Sequence, residues 1–367
     1  MKKRKICFVS HNLYPLLTDT RERFVGGAEF QQAMLGRHFH NNGYVVSYIT
    51  GVFDGKREDE TIEGRIVYKT CSYKDGIPGI RFVYPKITSL WKKLKAADAD
   101  IYYQRCADYV TGVISLYCKA HGRIFVYSGS NDTNFIPRLI GVPYLRDKLM
   151  YSWGLRNASH VIVQSTQQQK LLFENFGIKG HVIKNVYEKK EITRGKKYVL
   201  WVSNLKKEKR PELILRIARG NPRFDFKMIG GAVPGQEGLF EAIRKEAMEI
   251  PNLEFLGFQP VEETERYFDG ASLFISTSEI EGFPNTFLQS WARGIPTIAF
   301  FDPDHVISRN GLGVVVSSET EVDRGVLSLS DCSIDYRRAI RKYFNENHSP
   351  EKYVEKLDEI LASPAGV

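Results

Sequence analysis

The stretch that decides the fold is Ser276-Thr277-Ser278-Glu279-Ile280-Glu281-Gly282-Phe283-Pro284-Asn285-Thr286-Phe287-Leu288-Gln289-Ser290-Trp291-Ala292-Arg293-Gly294-Ile295-Pro296. Ser272-Leu273-Phe274-Ile275 precedes it as a short apolar run and reads as a buried strand. After the turn comes a helical pattern, and Pro284 suits a first helical turn because the amide it lacks would be unpaired there. Gly294 and Pro296 stop the helix, and Pro296–Phe300 reads as the next strand. The unit is strand, Gly-containing turn, helix, strand. Its helix start lies at the carboxyl end of the first strand, where open α/β sheets bind ligands and where free amides favour an anion such as a diphosphate. Glu281 opens the turn and Gln289 follows eight positions later inside the helix.

Outward from this unit the pattern repeats. Apolar runs at Ile6–Ser10, Val45–Thr50, Ile101–Tyr103, Ile124–Tyr127 and Val161–Val163 read as parallel strands. Helical patterns at Ala28–Asn41, Ile87–Ala97, Val110–Ala120 and Gln167–Phe176 fill most gaps. The charged segment Tyr187–Lys197 reads as a linker. Tyr198–Val202 restarts the alternation, with strands near Phe226–Ile229, Leu253–Leu256, Leu273–Ile275, Thr297–Phe300 and Gly313–Val316. Repeated βα units imply doubly wound sheets. The expected domains are residues 1–190, residues 191–349 and a terminal helix in 350–367.

Composition bounds the function. The 367 residues suit two domains and hold ample apolar content for two cores, 43%. No apolar run approaches the roughly 20 residues needed to cross a bilayer. The five cysteines are scattered without a C-x-x-C pair, which argues for reduced thiols in the cytoplasm and against structural zinc. The histidines form no ligand-spaced cluster, so no metal is expected. Asp98-Ala99-Asp100 sits between a helix and a strand and reads as a polar turn. Residues 1–190 carry 29 Lys and Arg against 16 Asp and Glu, a net +13, and the remainder a net −4. A basic half suggests an anionic partner. Trp91–Lys95 and Ile136–Trp153 mix basic with bulky apolar residues, as an interfacial membrane contact does.

The Ser276–Pro296 stretch resembles the signature of the retaining GT-B glycosyltransferases of family 4 (glycosyl transferases group 1). Their pattern is a Ser, a Glu-Gly-Phe-Gly or Glu-Gly-Phe-Pro turn, a second Glu after seven residues, a small-residue helix and Gly-x-Pro. The resemblance implies two Rossmann-like domains facing a central cleft, with the last helix returning to the first domain. It implies transfer of a hexose from a nucleotide diphosphate sugar to a saccharide or lipid-linked saccharide in glycan biosynthesis, with no cofactor or metal. Glu281 would contact the transferred sugar, with Phe283, Pro284, Asn285 and Thr286 supplying the turn and helix start. Gln289 departs from the Glu that binds the ribose hydroxyls; replacement by Glu is expected to keep or tighten donor binding.

Other stretches gain a role from the same resemblance. The family carries Gly-Gly-Ala-Glu where this chain has Gly26-Gly27-Ala28-Glu29, with amides facing the donor diphosphate. After the first strand of the second half the family has an Arg and, five residues on, a Lys that neutralise the leaving group. Lys209 matches the Lys, while Asn204 stands in the Arg position, leaving Lys206 or Arg210 to replace that charge. Asn131 stands nearest to a His that contacts the donor sugar. The expected partners are the donor, the acceptor and an anionic membrane surface, with no nucleic acid, and the expected place is the cytoplasm or the inner face of the membrane. The alternative is a sugar-nucleotide-binding protein of this fold without turnover; a GT-B epimerase or phosphorylase is disfavoured by the Glu-Gly-Phe-Pro turn and the lack of a suited Lys.

Overall fold

A computed structural model describes residues 3–362 apart from 19–25, 54, 56, 73–74, 79, 138, 140–141, 193–197 and 280. The chain divides into two compact units, Met1–Asn185 with Pro350–Val367, and Val186–Ser349. The division falls at Asn185, ahead of the residue 190 read from the sequence, and Val186 and Tyr187 beyond it are buried. Residues 193–197 of the expected linker lie outside the described residues.

The first unit is an eight-stranded sheet of β1 (Lys5–Val9), β2 (Val45–Thr50), β3 (Glu60–Ile62), β4 (Arg65–Lys69), β5 (Ile101–Arg105), β6 (Ile124–Ser128), β7 (His160–Val163) and β8 (His181–Val182). The order is β3-β4-β2-β1-β5-β6-β7-β8, and every pairing is parallel except β3 with β4. A parallel sheet covered on both faces needs continuous apolar runs, and Ile6, Cys7, Phe8 and Val9 of β1 are all buried. The β3–β4 hairpin was not expected. It turns on Glu63 and Gly64, both at positive φ (47° and 76°), the backbone of a tight two-residue hairpin turn. Its inward residues include Arg65 and Lys69, so no apolar run marks it. Burial of these cations is compensated: Arg65 pairs with Glu63, and Lys69 with Glu60 at 2.8 Å.

Helix Pro350–Ala362 completes this unit. Leu357 is fully buried, the hydroxyls of Tyr353 and Tyr103 lie 2.7 Å apart, and Asp358 accepts from Tyr44 and Arg4.

The second unit is a six-stranded, wholly parallel sheet of β9 (Tyr198–Val202), β10 (Phe226–Ile229), β11 (Leu253–Gly257), β12 (Ala271–Ser276), β13 (Thr297–Ala299) and β14 (Gly313–Val315), in the order β11-β10-β9-β12-β13-β14. Its core includes Trp201, Leu205, Ile214, Leu273, Ile275 and Ile298. Each sheet has one switch point where successive connections turn opposite ways, between β1 and β5 in the first and between β9 and β12 in the second. Loops leaving the carboxyl ends there diverge and open a crevice.

Candidate functional site

In the second unit the loops after β9 and β12 flank the switch point and are tied to one another. Buried Leu205 donates its amide to Gly231 O at 3.0 Å and anchors the first loop. The chain then makes a short turn, Lys207–Lys209, and passes Arg210 in a left-handed conformation (φ 46°) into helix Pro211–Gly220. Arg210 Nε donates to Thr277 O at 2.7 Å, and its guanidinium lies 4.6 Å from the Phe300 ring. Thr277 Oγ1 donates to Lys209 O at 2.5 Å and accepts from Trp201 Nε1 at 2.9 Å.

This lacing brings Lys209 and Glu281 together, although 72 residues separate them. The Lys209 ammonium donates to Glu281 Oε1, which also accepts from Ser278 Oγ at 2.9 Å. Both side chains are partly exposed. Of the two candidates to replace the charge absent at Asn204, Arg210 is committed to the second loop, with Nη1 3.2 Å from Glu279. Lys206 Nζ lies 3.9 Å from Glu208. Asn204 makes no side-chain hydrogen bond among the described residues.

Helix Asn285–Trp291 leaves the turn, with Pro284 just outside it rather than in its first turn. Phe283 is not a side chain open to a ligand: its ring is buried against Trp291 and His348, so its contribution is restricted to backbone. Gln289 is also buried. Its Nε2 donates to Glu265 Oε1 at 2.7 Å, and Glu265 Oε2 accepts from Arg293 Nη2 at 2.8 Å. Burial pushes the Glu265 carboxyl up, but the Arg293 guanidinium and hydrogen bonds from Tyr187 and Gln289 outweigh it and hold the group below the usual range. A carboxylate in place of the Gln289 amide would face this carboxylate.

In the first unit Gly26 and Gly27 lie near the loop after β1, through Glu29 and Ser10, and Asn131 follows β6. Gly26 precedes helix Gly27–Asn41, and a Cβ there would meet Glu29 Oε2 at 2.0 Å. Burial raises the Glu29 carboxyl, which accepts from Ser10 Oγ at 3.4 Å. Cys106, at φ 79°, donates its thiol to Ser130 Oγ at 3.3 Å, and burial with Glu29 nearby pushes it up to about 12. Asn131 caps the short helix Asp132–Phe135 and accepts from Thr133 Oγ1 at 2.5 Å, so its side chain serves the turn. Glu29 belongs to the Gly-Gly-Ala-Glu motif read from the sequence, whereas nothing in sequence marked Cys106 beside it. Asp98 and Asp100 form a polar turn that engages Lys5 and Arg123. No cluster of metal-ligating side chains occurs among the described residues, nor a helix long and apolar enough to cross a membrane.

Comparison with known proteins follows the same division. Residues 25–188 match the family described as Glycosyltransferase Family 4, and residues 182–346 the one described as Glycosyl transferases group 1. The O-antigen biosynthesis glycosyltransferase WbnH of Escherichia coli is 29% identical over 160 residues. That match spans 41% of this chain and 44% of the relative. Among solved structures, sucrose-phosphate synthase of Thermosynechococcus elongatus superposes with a TM-score of 0.77 at 15% identity, covering 98% of both chains. Anabaena HepE, solved with UDP and glucose, gives 0.74 at 14%, covering 98% of this chain and 100% of that one. Likeness at such identity speaks to the fold. Two successive Rossmann-like halves, each matched along most of its length, place this chain among the family 4 (group 1) glycosyltransferases of GT-B fold.

Proposed function

We propose that the protein transfers a hexose from a nucleotide diphosphate sugar to a saccharide or lipid-linked saccharide, with retention of anomeric configuration and without a metal. The observation that carries this reading is the Lys209–Glu281 meeting at the switch point of the second sheet. Each group stays partly exposed beside the other, and a donor offers both a further partner. Sugar hydroxyls donate to Glu281, and diphosphate oxygens accept from Lys209. Breaking the glycosidic bond builds negative charge on the leaving diphosphate, which Lys209 and the amides at Asn285 and Thr286 stabilise. Glu281 positions the anomeric carbon and favours the positive charge developing there. Gly26 and Gly27 offer amides to phosphate oxygens at the start of helix Gly27–Asn41. Attack by the acceptor on the face the diphosphate leaves, assisted by that phosphate, gives retention.

The acceptor reading extends to an anionic membrane surface on the first unit. Tyr144, Leu145, Leu149 and Trp153 are exposed on and beside helix Leu145–Arg156, among Arg146, Lys148 and Arg156. Ile77, Ile80, Val83 and Tyr84 are exposed beside Arg81 and Lys86, and Arg146 stacks 3.4 Å over Phe82 to join the two segments. Of the basic-apolar stretches expected to face lipid, Trp91–Lys95 turns its bulk inward: Leu94 is buried and Trp91 packs edge-on against Tyr117. Arg138, Ile140 and Gly141 of the other stretch lie outside the described residues.

A panel of nucleotide sugars tests the reading. One should raise the melting temperature and be turned over with acceptor, and NMR should show the anomeric configuration kept. Binding without turnover across acceptors would favour the non-catalytic alternative, and inversion would remove the retaining mechanism. Sedimentation with anionic vesicles should exceed that with neutral ones and fall with salt, since exposed charges are screened over about 10 Å at 0.1 M; equal, salt-independent sedimentation would remove the membrane surface.

A further inference from the structure

The polar cluster behind the Glu281 turn is centred on Glu265, in the middle of helix Val261–Gly270. Four groups converge on its carboxylate. Arg293 Nη2 lies 2.8 Å from Oε2, Gln289 Nε2 2.7 Å from Oε1, and Lys190 Nζ 3.7 Å from Oε2, while the Tyr187 hydroxyl bonds to it as well. Arg293 is enclosed, with Nε on Asp269 Oδ1 at 2.6 Å and Nη1 on Gln289 O at 3.1 Å. Two cations and a phenol hold Glu265 ionised, and an ionised carboxylate only accepts hydrogen bonds. A primary amide beside it can present only its nitrogen. The two ends of the Gln289 side chain are therefore distinguished by chemistry: NH2 toward Glu265, Oε1 away from it. No described group donates to that Oε1, and it is not among the polar atoms sealed from solvent.

We propose that Glu265 is a positioning residue that fixes the Gln289 amide with its carbonyl outward, making Gln289 an acceptor for a hydroxyl of the nucleotide donor. This rests on the donor-binding reading given above. The inference also explains the departure from the family pattern at this position. A carboxylate there would stand at hydrogen-bond distance from a second carboxylate, and two like charges in one half-buried site disfavour each other. The negative charge of this wall has been moved to Glu265, and the amide relays its orientation. The amide of Gln289 is then required by the carboxylate of Glu265, and the pair should be exchangeable as a unit but not one residue at a time.

The full chain, Gln289→Glu, Glu265→Gln and the double exchange Glu265→Gln with Gln289→Glu are compared by melting temperature and by affinity for UDP, ADP and GDP. Gln289→Glu should lose about tenfold or more in affinity for whichever nucleotide the parent binds, and melt about 4 °C or more lower. The double exchange should recover most of both. The amide introduced by Glu265→Gln then donates to the carboxylate introduced by Gln289→Glu, and its carbonyl still accepts from Arg293; such non-additivity marks a direct contact. The proposal is overturned if Gln289→Glu matches the parent in both readouts, or if the double exchange is no better than Gln289→Glu alone. Recovery of melting temperature without any change in nucleotide affinity would also overturn it, leaving the contact as scaffold only. A parent that binds none of the three nucleotides would instead sink the donor-binding reading, with the melting arm still deciding whether Glu265 dictates the amide.

Discussion

Two charged pairs lie on either side of the Glu281–Gln289 turn, and they are built in opposite ways. Arg293 and Glu265 expose 1% and 15% of their side chains, against 18% and 21% for Lys209 and Glu281. Arg293 has Asp269 and two backbone carbonyls besides Glu265, so its charge is spread over several acceptors. The Lys209 ammonium has Glu281 as its described partner. The enclosed pair cannot lose a member without stranding a charge. The open pair can exchange each member's partner for water or ligand at little cost, since such pairs contribute on the order of 0–1 kcal/mol. The two ion pairs therefore differ in what they can give up, and substitutions should separate them.

The largest effect is expected where the enclosed pair is cut. Arg293→Met should cost about 3–5 kcal/mol in denaturant unfolding, because Glu265 and Asp269 lose their cation. A loss under about 1 kcal/mol would mean that water replaces the guanidinium and that the contrast is not one of burial. Next, Glu281→Gln should keep its melting temperature and lose about 10²–10³ in transfer rate. Near-parent turnover would end the role assigned to Glu281, and unfolding would make it structural. Lys209→Met should leave stability within about 1 kcal/mol and weaken nucleoside diphosphate binding about tenfold, with a smaller salt dependence than the parent. Unchanged affinity would remove Lys209 from the diphosphate.

Smaller effects sharpen the same contrast. The Glu265 carboxyl is held below its usual range, so its stabilisation is complete above about pH 4.3, the ordinary Glu value, and is lost as pH falls toward the lower folded-state value. Acid melting curves of the parent and Glu265→Gln should converge below that pH; a constant gap would contradict the shift. The smallest effect belongs to Glu279→Gln. This side chain is 62% exposed and, among the described residues, meets the Arg210 guanidinium, so turnover should stay within about twofold.

What was legible in the sequence follows from how far each signal travels. Strands buried on both faces announce themselves as runs such as Ile6–Val9 and Leu273–Ile275, and helices by their stops at Gly and Pro. The β3–β4 hairpin was silent because its inward positions hold Arg65 and Lys69, which read as surface until Glu63 and Glu60 are placed beside them. Glu281 and Lys209 were found as separate motif positions. That they touch depends on Thr277 and Arg210 lacing two loops, a register that neither motif encodes. Gln289 looked like a Glu that had lost its charge. Its partner Glu265 lies 24 residues earlier on another helix, a contact that only the packing of Val261–Gly270 against Asn285–Trp291 makes visible. Phe283 belonged to the motif yet proved to be core, because a motif records a residue and not which of its atoms is used.

The return of Pro350–Ala362 to the first unit bears on the order of synthesis. The second unit is one uninterrupted segment, Val186–Ser349, whereas the first needs residues from both sides of it. A ribosome working from the amino end releases everything the second unit requires before Tyr353 exists to meet Tyr103 and Leu357 to pack into the first unit. The later-numbered unit can thus mature first, while the earlier one waits with an apolar seam uncovered. Limited proteolysis of stalled nascent chains should find Val186–Ser349 protected before Met1–Asn185, the reverse of their order in the gene.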